Sequence, residues 1–202
     1  MSIAMMKRFF DIFFSFLGLL VLAPLFVVVA VLVKIDSRGP VFFRHTRMGR
    51  DFKPFHVYKF RTMVDGAERA GASVTVGSDE RITRLGKVLR KTKIDELPQL
   101  VNVLTGEMSL VGPRPEVREY VELYAADYER LLSVRPGITD PASLQYAEEE
   151  GVLALSPNWE EEYRKRILPD KIKLSLAYVE NHSLVTDISL ILKTVMKAAR
   201  LR

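Results

Sequence analysis

Apolar residues crowd one end of the chain. Phe9 to Val33 holds one charge, Asp11, and the 22 positions from Ile12 to Val33 hold none. As a helix rising about 1.5 Å per residue, that run reaches across a ~30 Å hydrocarbon core. Nearly every face is apolar, which suits lipid better than a protein core. Pro24 falls mid-run, where it removes a backbone donor and kinks or breaks a helix. Lys7 and Arg8 precede the run and Lys34 and Arg38 follow it, so the positive-inside rule selects no orientation. Basic residues at both ends are what a hairpin shows when it enters a membrane and returns to the cytoplasmic face. A straight transmembrane anchor and a buried core helix stay open. A cleaved signal peptide fits poorly, because the run exceeds a usual h-region and no small-x-small site follows it.

Beyond residue 36 the pattern turns to short periods. Asp36–Pro40 reads as a turn, and Val41–His45 and Phe55–Phe60 read as two strands of a hairpin around a turn at Arg47–Asp51. Asp65–Glu80 reads as a short helix and a flexible loop. Ile82–Lys93 has helical spacing, with Leu85, Val88 and Leu89 as its apolar stripe. A second short helix is expected over Ile94–Leu104, starting near Asp95. Met108–Val111 reads as a strand, Glu116–Ser133 as one helix, Val134–Thr139 as a loop and Ser143–Tyr146 as a strand. Glu148–Gly151 is expected to be a solvated acidic knob. Trp159–Arg166 reads as a charged helix. Pro169 at a first helical position opens another, to about Glu180. The last helix, from about Val185 to Arg202, sets Ile188, Ile191, Leu192, Val195 and Ala199 on one face and Lys193, Lys197 and Arg200 on another. Such a basic amphipathic helix can lie on an anionic membrane, or pack as an ordinary core-facing helix.

Composition narrows the chemistry. The chain has 202 residues, no cysteine and three widely spaced histidines, His45, His56 and His182. Disulfides, thiolates and Cys-based zinc sites are excluded, and a Ser-His-Asp triad is disfavoured. A net charge of +5 fits an anionic partner: nucleic acid, nucleotide or phospholipid.

One stretch concentrates charge of both signs. Asp95 and Glu96 adjoin Arg90, Lys91 and Lys93, with Pro98 close behind and Arg114 further on. Adjacent helical side chains diverge by about 100°, so the two carboxylates do different jobs. At a helix start Asp95 would face exposed N–H groups, which together with the cations should lower its pKa. An ionised carboxylate can act as a nucleophile or as a hard ligand for Mg2+. The bland reading is a capping box, Thr92-x-x-Asp95. In Gly112-Pro-Arg-Pro115 two prolines hold the backbone around Arg114, which presents its guanidinium at little entropic cost, to a phosphate or to a structural ion pair. Arg135-Pro-Gly137 repeats the device with one proline. Lys59 and Arg61 sit at a strand end, where a cation can reach across a site.

Taken together these stretches resemble the monotopic phosphoglycosyl transferases, bacterial sugar transferases that start polysaccharide and glycoconjugate assembly. The resemblance is carried by Lys7–Asp11 leading into the Pro24-containing run, Gly39–Arg44, Tyr58–Met63, Arg84–Arg90, Ile94–Leu100, Met108–Pro115, Arg135–Thr139 and Tyr178–Asn181. It implies an α+β, mostly helical protein: a re-entrant membrane helix-break-helix over residues 1–36, bent at Ala23-Pro24, and a catalytic domain over 37–202 with short strands and interfacial helices. It implies transfer of a sugar 1-phosphate from a UDP-sugar to a polyprenol (undecaprenyl) phosphate, with release of UMP. Asp95 would be the nucleophile that forms an aspartyl phospho-sugar, with Glu96 as its partner and Mg2+ held by the pair. Lys59, Arg61, Arg90, Arg114 and Arg135 would bind phosphate or nucleotide. The implied place is the cytoplasmic face of the bacterial inner membrane, with membrane phospholipid and downstream glycosyltransferases as neighbours and no nucleic acid. The oligomeric state is left open, a dimer included.

Two departures limit the resemblance. Many members carry Ser where this chain has Ala23. After Ile138-Thr139 many continue Gly-Leu-Ala-Gln, whereas here Asp140-Pro-Ala-Ser-Leu-Gln145 leads to the acidic knob, so the sugar does not transfer by analogy. A membrane-bound Mg-dependent phosphatase or nucleotidase using the same Asp, and a non-enzymatic membrane scaffold, are the competing readings.

Overall fold

A computed structural model of the chain describes residues 3–67 and 79–200. Helix α1 runs unbroken over Ile3–Asp36. The two-helix division expected at Ala23-Pro24 is not seen as an interruption: helical backbone continues through Pro24. Proline withdraws only the bond to the carbonyl four residues back, at Leu20, and a long helix packed on a domain survives that loss.

That packing is extensive. Gly18 leaves room for the Leu100 side chain. Val29 and Val33, near the other end, are buried with Phe60 and Leu89. Lys7 Nζ reaches Asp187 at 2.5 Å and the Val111 carbonyl at 3.0 Å. Asp11 accepts from Ser109 Oγ and the Leu110 N–H. The opposite side of α1 is apolar and open, as at Phe9, Phe13, Leu20 and Val27.

The hairpin forms as expected, β1 Phe42–Met48 antiparallel to β2 Pro54–Phe60. Alternation divides its faces. Phe60 turns to α1, while Phe55 and Val57 pack on Val103 and Met108. After α2 (Arg84–Lys91) and α3 (Gln99–Thr105), strand β3 (Ser109–Val111) pairs in parallel with β4 (Gly137–Thr139), where a loop was expected. Glycine permits this pairing: a Cβ on Gly137 would lie 2.1 Å from Gly112 N. The segment Asp65–Glu80 lies largely outside the described residues.

Three further expectations fail for local reasons. Glu116–Ser133 is two helices, α4 (Arg118–Leu123) and α5 (Ala125–Leu131), because Tyr124 leaves helical geometry at φ −126°, ψ 43°. Ser143–Tyr146 is not a strand. It belongs to α6 (Pro141–Gln145), which Asp140 caps by accepting from the Ser143 N–H, with Pro141 in the first turn. Asp140 also accepts from Ser175 Oγ at 2.5 Å, so the departure after Thr139 is a helix start pinned to a neighbouring helix. The acidic knob is not wholly solvated: Glu149 opens α7 (Glu149–Ala154) and pairs with Lys171 at 2.9 Å.

Helix α8 (Trp159–Glu162) passes through a π-turn at Tyr163–Ile167 into α9 (Leu168–Asn181). Tyr120, Tyr128, Leu131, Tyr163, Ile167 and Ile172 form the main core. Helix α10 (Leu184–Arg200) closes the fold.

Candidate active site

Asp95 and Glu96 lie in a single 3-10 turn, Ile94–Glu96, between α2 and α3. No capping box forms. Thr92 ends α2, returning its hydroxyl to the Val88 and Leu89 carbonyls. Lys93 then takes φ 58°, ψ 15°, a left-handed conformation uncommon outside glycine. That reversal turns Asp95 inward, where its residue is 6 % exposed.

Strand alternation brings the first cation. Lys59, near the end of β2, donates to Glu96 Oε1 at 2.8 Å. Arg114, held between Pro113 and Pro115 beyond β3, donates to the same oxygen at 2.7 Å and to Oε2 at 3.4 Å. The fork of donors matches the carboxylate plane. Arg90, in the last turn of α2, bonds Thr62 Oγ1 at 3.0 Å and acts on Asp95. Lys59, Arg90, Asp95, Glu96 and Arg114 thus gather at one place.

The two carboxylates differ electrically. Burial pushes the Asp95 carboxyl up to about 6; Glu96 adds to this, while Lys59, Lys93 and Arg90 oppose it. The lowering expected from sequence is therefore reversed, since desolvation outweighs the cations. Burial would raise Glu96 as well, but Arg114 and Lys59 overcome it and hold Glu96 well below the usual carboxylate range. Glu96 in turn keeps Arg114 protonated. At neutral pH the site holds an anchored Glu96 anion beside an Asp95 that is mostly ionised but poorly solvated.

Two predicted phosphate ligands lie elsewhere. Arg61 is buried at the end of α1, where Nη2 donates to the Ser37 carbonyl at 2.7 Å and to Ser37 Oγ at 3.0 Å. It closes a helix C-terminus, as cations there do. Arg61→Ala should cost about 1.5–3 kcal/mol in chemical unfolding and leave the donor KM unchanged. Arg135 donates from Nε to the Gly106 carbonyl at 2.8 Å, and Arg8 holds the Val103 and Leu104 carbonyls. Both close the C-terminus of α3, whose dipole favours cations.

Sequence reasoning missed part of the surroundings. Arg47 pairs with Glu116 at 3.5 Å, and Glu116 accepts from Tyr163 Oη at 2.9 Å. Lys171 stands over the Tyr163 ring and pairs with Glu149. Arg47 was findable, since it is an even number of positions from His45 on β1 and so shares its face. Burial holds His45 neutral at about 4, with Arg47 and Lys59 adding to the shift. Glu149 and Lys171 left no such signal, because their meeting depends on how α7 packs on α9.

The carboxylates that would hold Mg2+ are Asp95 and Glu96. Asp95 Oδ1 is buried and makes no hydrogen bond. Both Glu96 oxygens already face cations. Among the described residues no cluster of three or more metal-ligating side chains occurs. Mg2+ can keep waters and take one carboxylate plus substrate phosphates, so it does not require an all-protein cage. Asp95 offers an open oxygen; Glu96 would have to release a cation to serve as the second ligand named from sequence.

A cavity of about 390 Å³ runs beneath the same turn. Glu96, Lys93, Leu97 and Arg114 line one side, and α6 and α10 supply the others.

The chain is similar to known proteins over nearly its whole length. Residues 2–200 match the family model described as bacterial sugar transferase. The chain is 43 % identical over 199 residues to the exopolysaccharide production protein PSS of Rhizobium leguminosarum bv. phaseoli, covering 95 % of this chain and 94 % of that protein. It is 39 % identical to a UDP-N-acetylgalactosamine-undecaprenyl-phosphate N-acetylgalactosaminephosphotransferase of Aeromonas hydrophila, over 95 % of this chain and 43 % of the relative. It is 38 % identical to a UDP-glucose:undecaprenyl-phosphate glucose-1-phosphate transferase of Escherichia coli, over 96 % of this chain and 40 % of the relative.

Proposed function

The chain belongs to the bacterial sugar transferase family, and from that premise we propose that it transfers a sugar 1-phosphate from a UDP-sugar to undecaprenyl phosphate. One observation carries the reading: a buried Asp95 with an unpartnered oxygen sits beside a Glu96 clamped by Lys59 and Arg114. In the first step an Asp95 oxygen attacks the β-phosphorus. The bond from that phosphorus to the bridging oxygen breaks, and UMP leaves with the oxygen and its electron pair. In the second step a phosphate oxygen of the polyprenyl phosphate attacks the phospho-sugar, and the Asp95 carboxylate leaves. Neither step needs a general base, because both attacking groups are anions.

What such a reaction requires is masking of negative charge. Arg114, Lys59 and Arg90 are placed to supply it. Glu96 fixes two of these cations. Mg2+, held by Asp95 and the diphosphate, would add neutralisation of the phosphate oxygens. Full-length protein should release UMP from at least one of a panel of UDP-sugars, at most one equivalent per site without polyprenyl phosphate and continuously with it. Inorganic phosphate or free sugar phosphate without acceptor would instead favour a phosphatase. Loss-free replacement of Asp95 and Arg114 would favour a scaffold.

The same reading places the protein on the cytoplasmic face of the inner membrane, with α1 entering and leaving the bilayer by one side. Contact of both ends of α1 with one domain supports this: Lys7 and Arg8 bind β3, α3 and α10, while Val33 packs on Phe60. A helix crossing a ~30 Å core would carry one end out of reach. Tags at both termini should be accessible from the cytoplasm only; a periplasmic N-terminus refutes the placement.

A further inference from the structure

The cavity under the catalytic turn has a chemistry of its own. Leu110, Ile138, Leu144, Ile191 and Val195 give it an aliphatic wall. Its charged liners beside the catalytic turn are Lys93, Glu96 and Arg114, and the Glu149–Lys171 pair also borders it. Helix α10 roofs it, held by a Thr139–Thr194 hydroxyl pair at 2.6 Å and by Lys197 Nζ on the Leu144 carbonyl at 2.7 Å. Lys197, expected on a solvated basic face, therefore points to the cavity rim. Val195 lines the cavity and is also 62 % exposed. Through it the apolar wall continues onto the outer stripe of α10, where Ile188, Leu192 and Met196 are open. The passage thus runs from an exposed apolar helix face to charged groups beside Asp95.

We propose that this cavity holds the isoprene units of the acceptor nearest its phosphate, with α10 as the wall through which the chain leaves toward lipid. The proposal rests on the transfer reaction above and adds where its lipid substrate lies. Charge complementarity orients the occupant: a phosphate belongs at Arg114 and Lys93, and its hydrocarbon follows the aliphatic wall. The volume is at the lower end of the about 300–1,000 Å³ usual for ligand sites, enough for a chain segment and not for a whole polyprenol. A nucleoside fits worse. A base binds best between aromatic faces, and among the described residues Tyr146 is the one aromatic liner of a mainly aliphatic cavity.

The test uses full-length protein in nanodiscs with a UDP-sugar that the wild type accepts. Ala147→Phe and Ala198→Phe fill the cavity without leaving voids. Each should raise the KM for undecaprenyl phosphate about tenfold or more and leave the KM for the UDP-sugar unchanged. A raised donor KM, or an unchanged acceptor KM in both variants, overturns the proposal. A measurement on the wild type guards against misfolded variants. Polyprenyl phosphate with a photoreactive group in its first isoprene unit should label peptides spanning 138–147 or 191–198. Labelling confined to other peptides overturns the proposal while leaving the reaction intact. Wild-type protein that releases no UMP from any donor–acceptor pair removes the transfer reading itself, and this inference with it.

Discussion

Asp95→Asn should abolish UMP release from a UDP-sugar, by roughly 10⁴-fold or more, because it removes the attacking group and leaves its surroundings almost unchanged. The substitution is close to isosteric. Asp95 is buried and one of its oxygens makes no hydrogen bond, so no bond at that oxygen holds the fold together. The sign of the stability effect follows from its ionisation. With the folded carboxyl raised to about 6 from the usual 3.8, the folded state binds a proton more readily than the unfolded chain between those values. Ionised Asp95 therefore opposes folding above pH 6, and that opposition fades as pH falls toward 3.8. The Asn variant should be at least as stable as wild type at pH 7.5, with the difference shrinking under acid. The wild-type rate should rise with pH through about 6 as the nucleophile ionises. An inactive but stable variant locates the defect in chemistry. UMP release at the wild-type rate would remove Asp95 as the nucleophile, and an inactive, unfolded variant would show that Asp95 is structural instead.

The divergence of the carboxylate pair was legible in the sequence, but its electrostatics were not. Adjacency implied that Asp95 and Glu96 point apart, and they do: Glu96 meets Lys59 and Arg114, while Asp95 Oδ1 meets no donor. The direction of the Asp95 shift depended on burial, a tertiary quantity that charge order along the chain does not contain. Lys59, Arg90 and Arg114, singled out from a strand end, a helix end and a proline-flanked turn, do lie beside the pair. Arg61 and Arg135 occupy similar local positions, yet helix C-termini take them instead. Nothing within either segment tells a helix end from a phosphate as the arginine's partner. In the fold, periodicity located the hairpin and the long apolar helix. It failed at Tyr124, where one residue splits a helix, and at Gly137–Thr139, whose parallel partner lies 28 residues earlier at Ser109–Val111.

Glu96→Gln should damage both stability and turnover, in ways that can be separated. The carboxylate accepts from Lys59 and Arg114 at once, and removing its charge leaves two cations together without their shared anion. Breaking a fully buried pair costs about 3–5 kcal/mol. Arg114 is 34 % exposed and Lys59 25 %, so water lowers the loss to about 2–3 kcal/mol. Because Glu96 is held well below the usual carboxylate range, its contribution is present above the unfolded glutamate pKa near 4.5. It disappears as pH falls through the lower folded value, so the two proteins should converge in acid. Turnover should fall about 10²–10³-fold, since Arg114 would no longer be held where negative charge develops. Adding Arg114→Met to Glu96→Gln separates the two roles. The apolar side chain removes one stranded cation and should recover part of the stability measured by chemical unfolding, while UMP release stays low. Recovery of activity along with stability would mean that the pair serves only the fold. No loss of stability in Glu96→Gln would mean that Lys59 and Arg114 do not depend on Glu96 to stay in place.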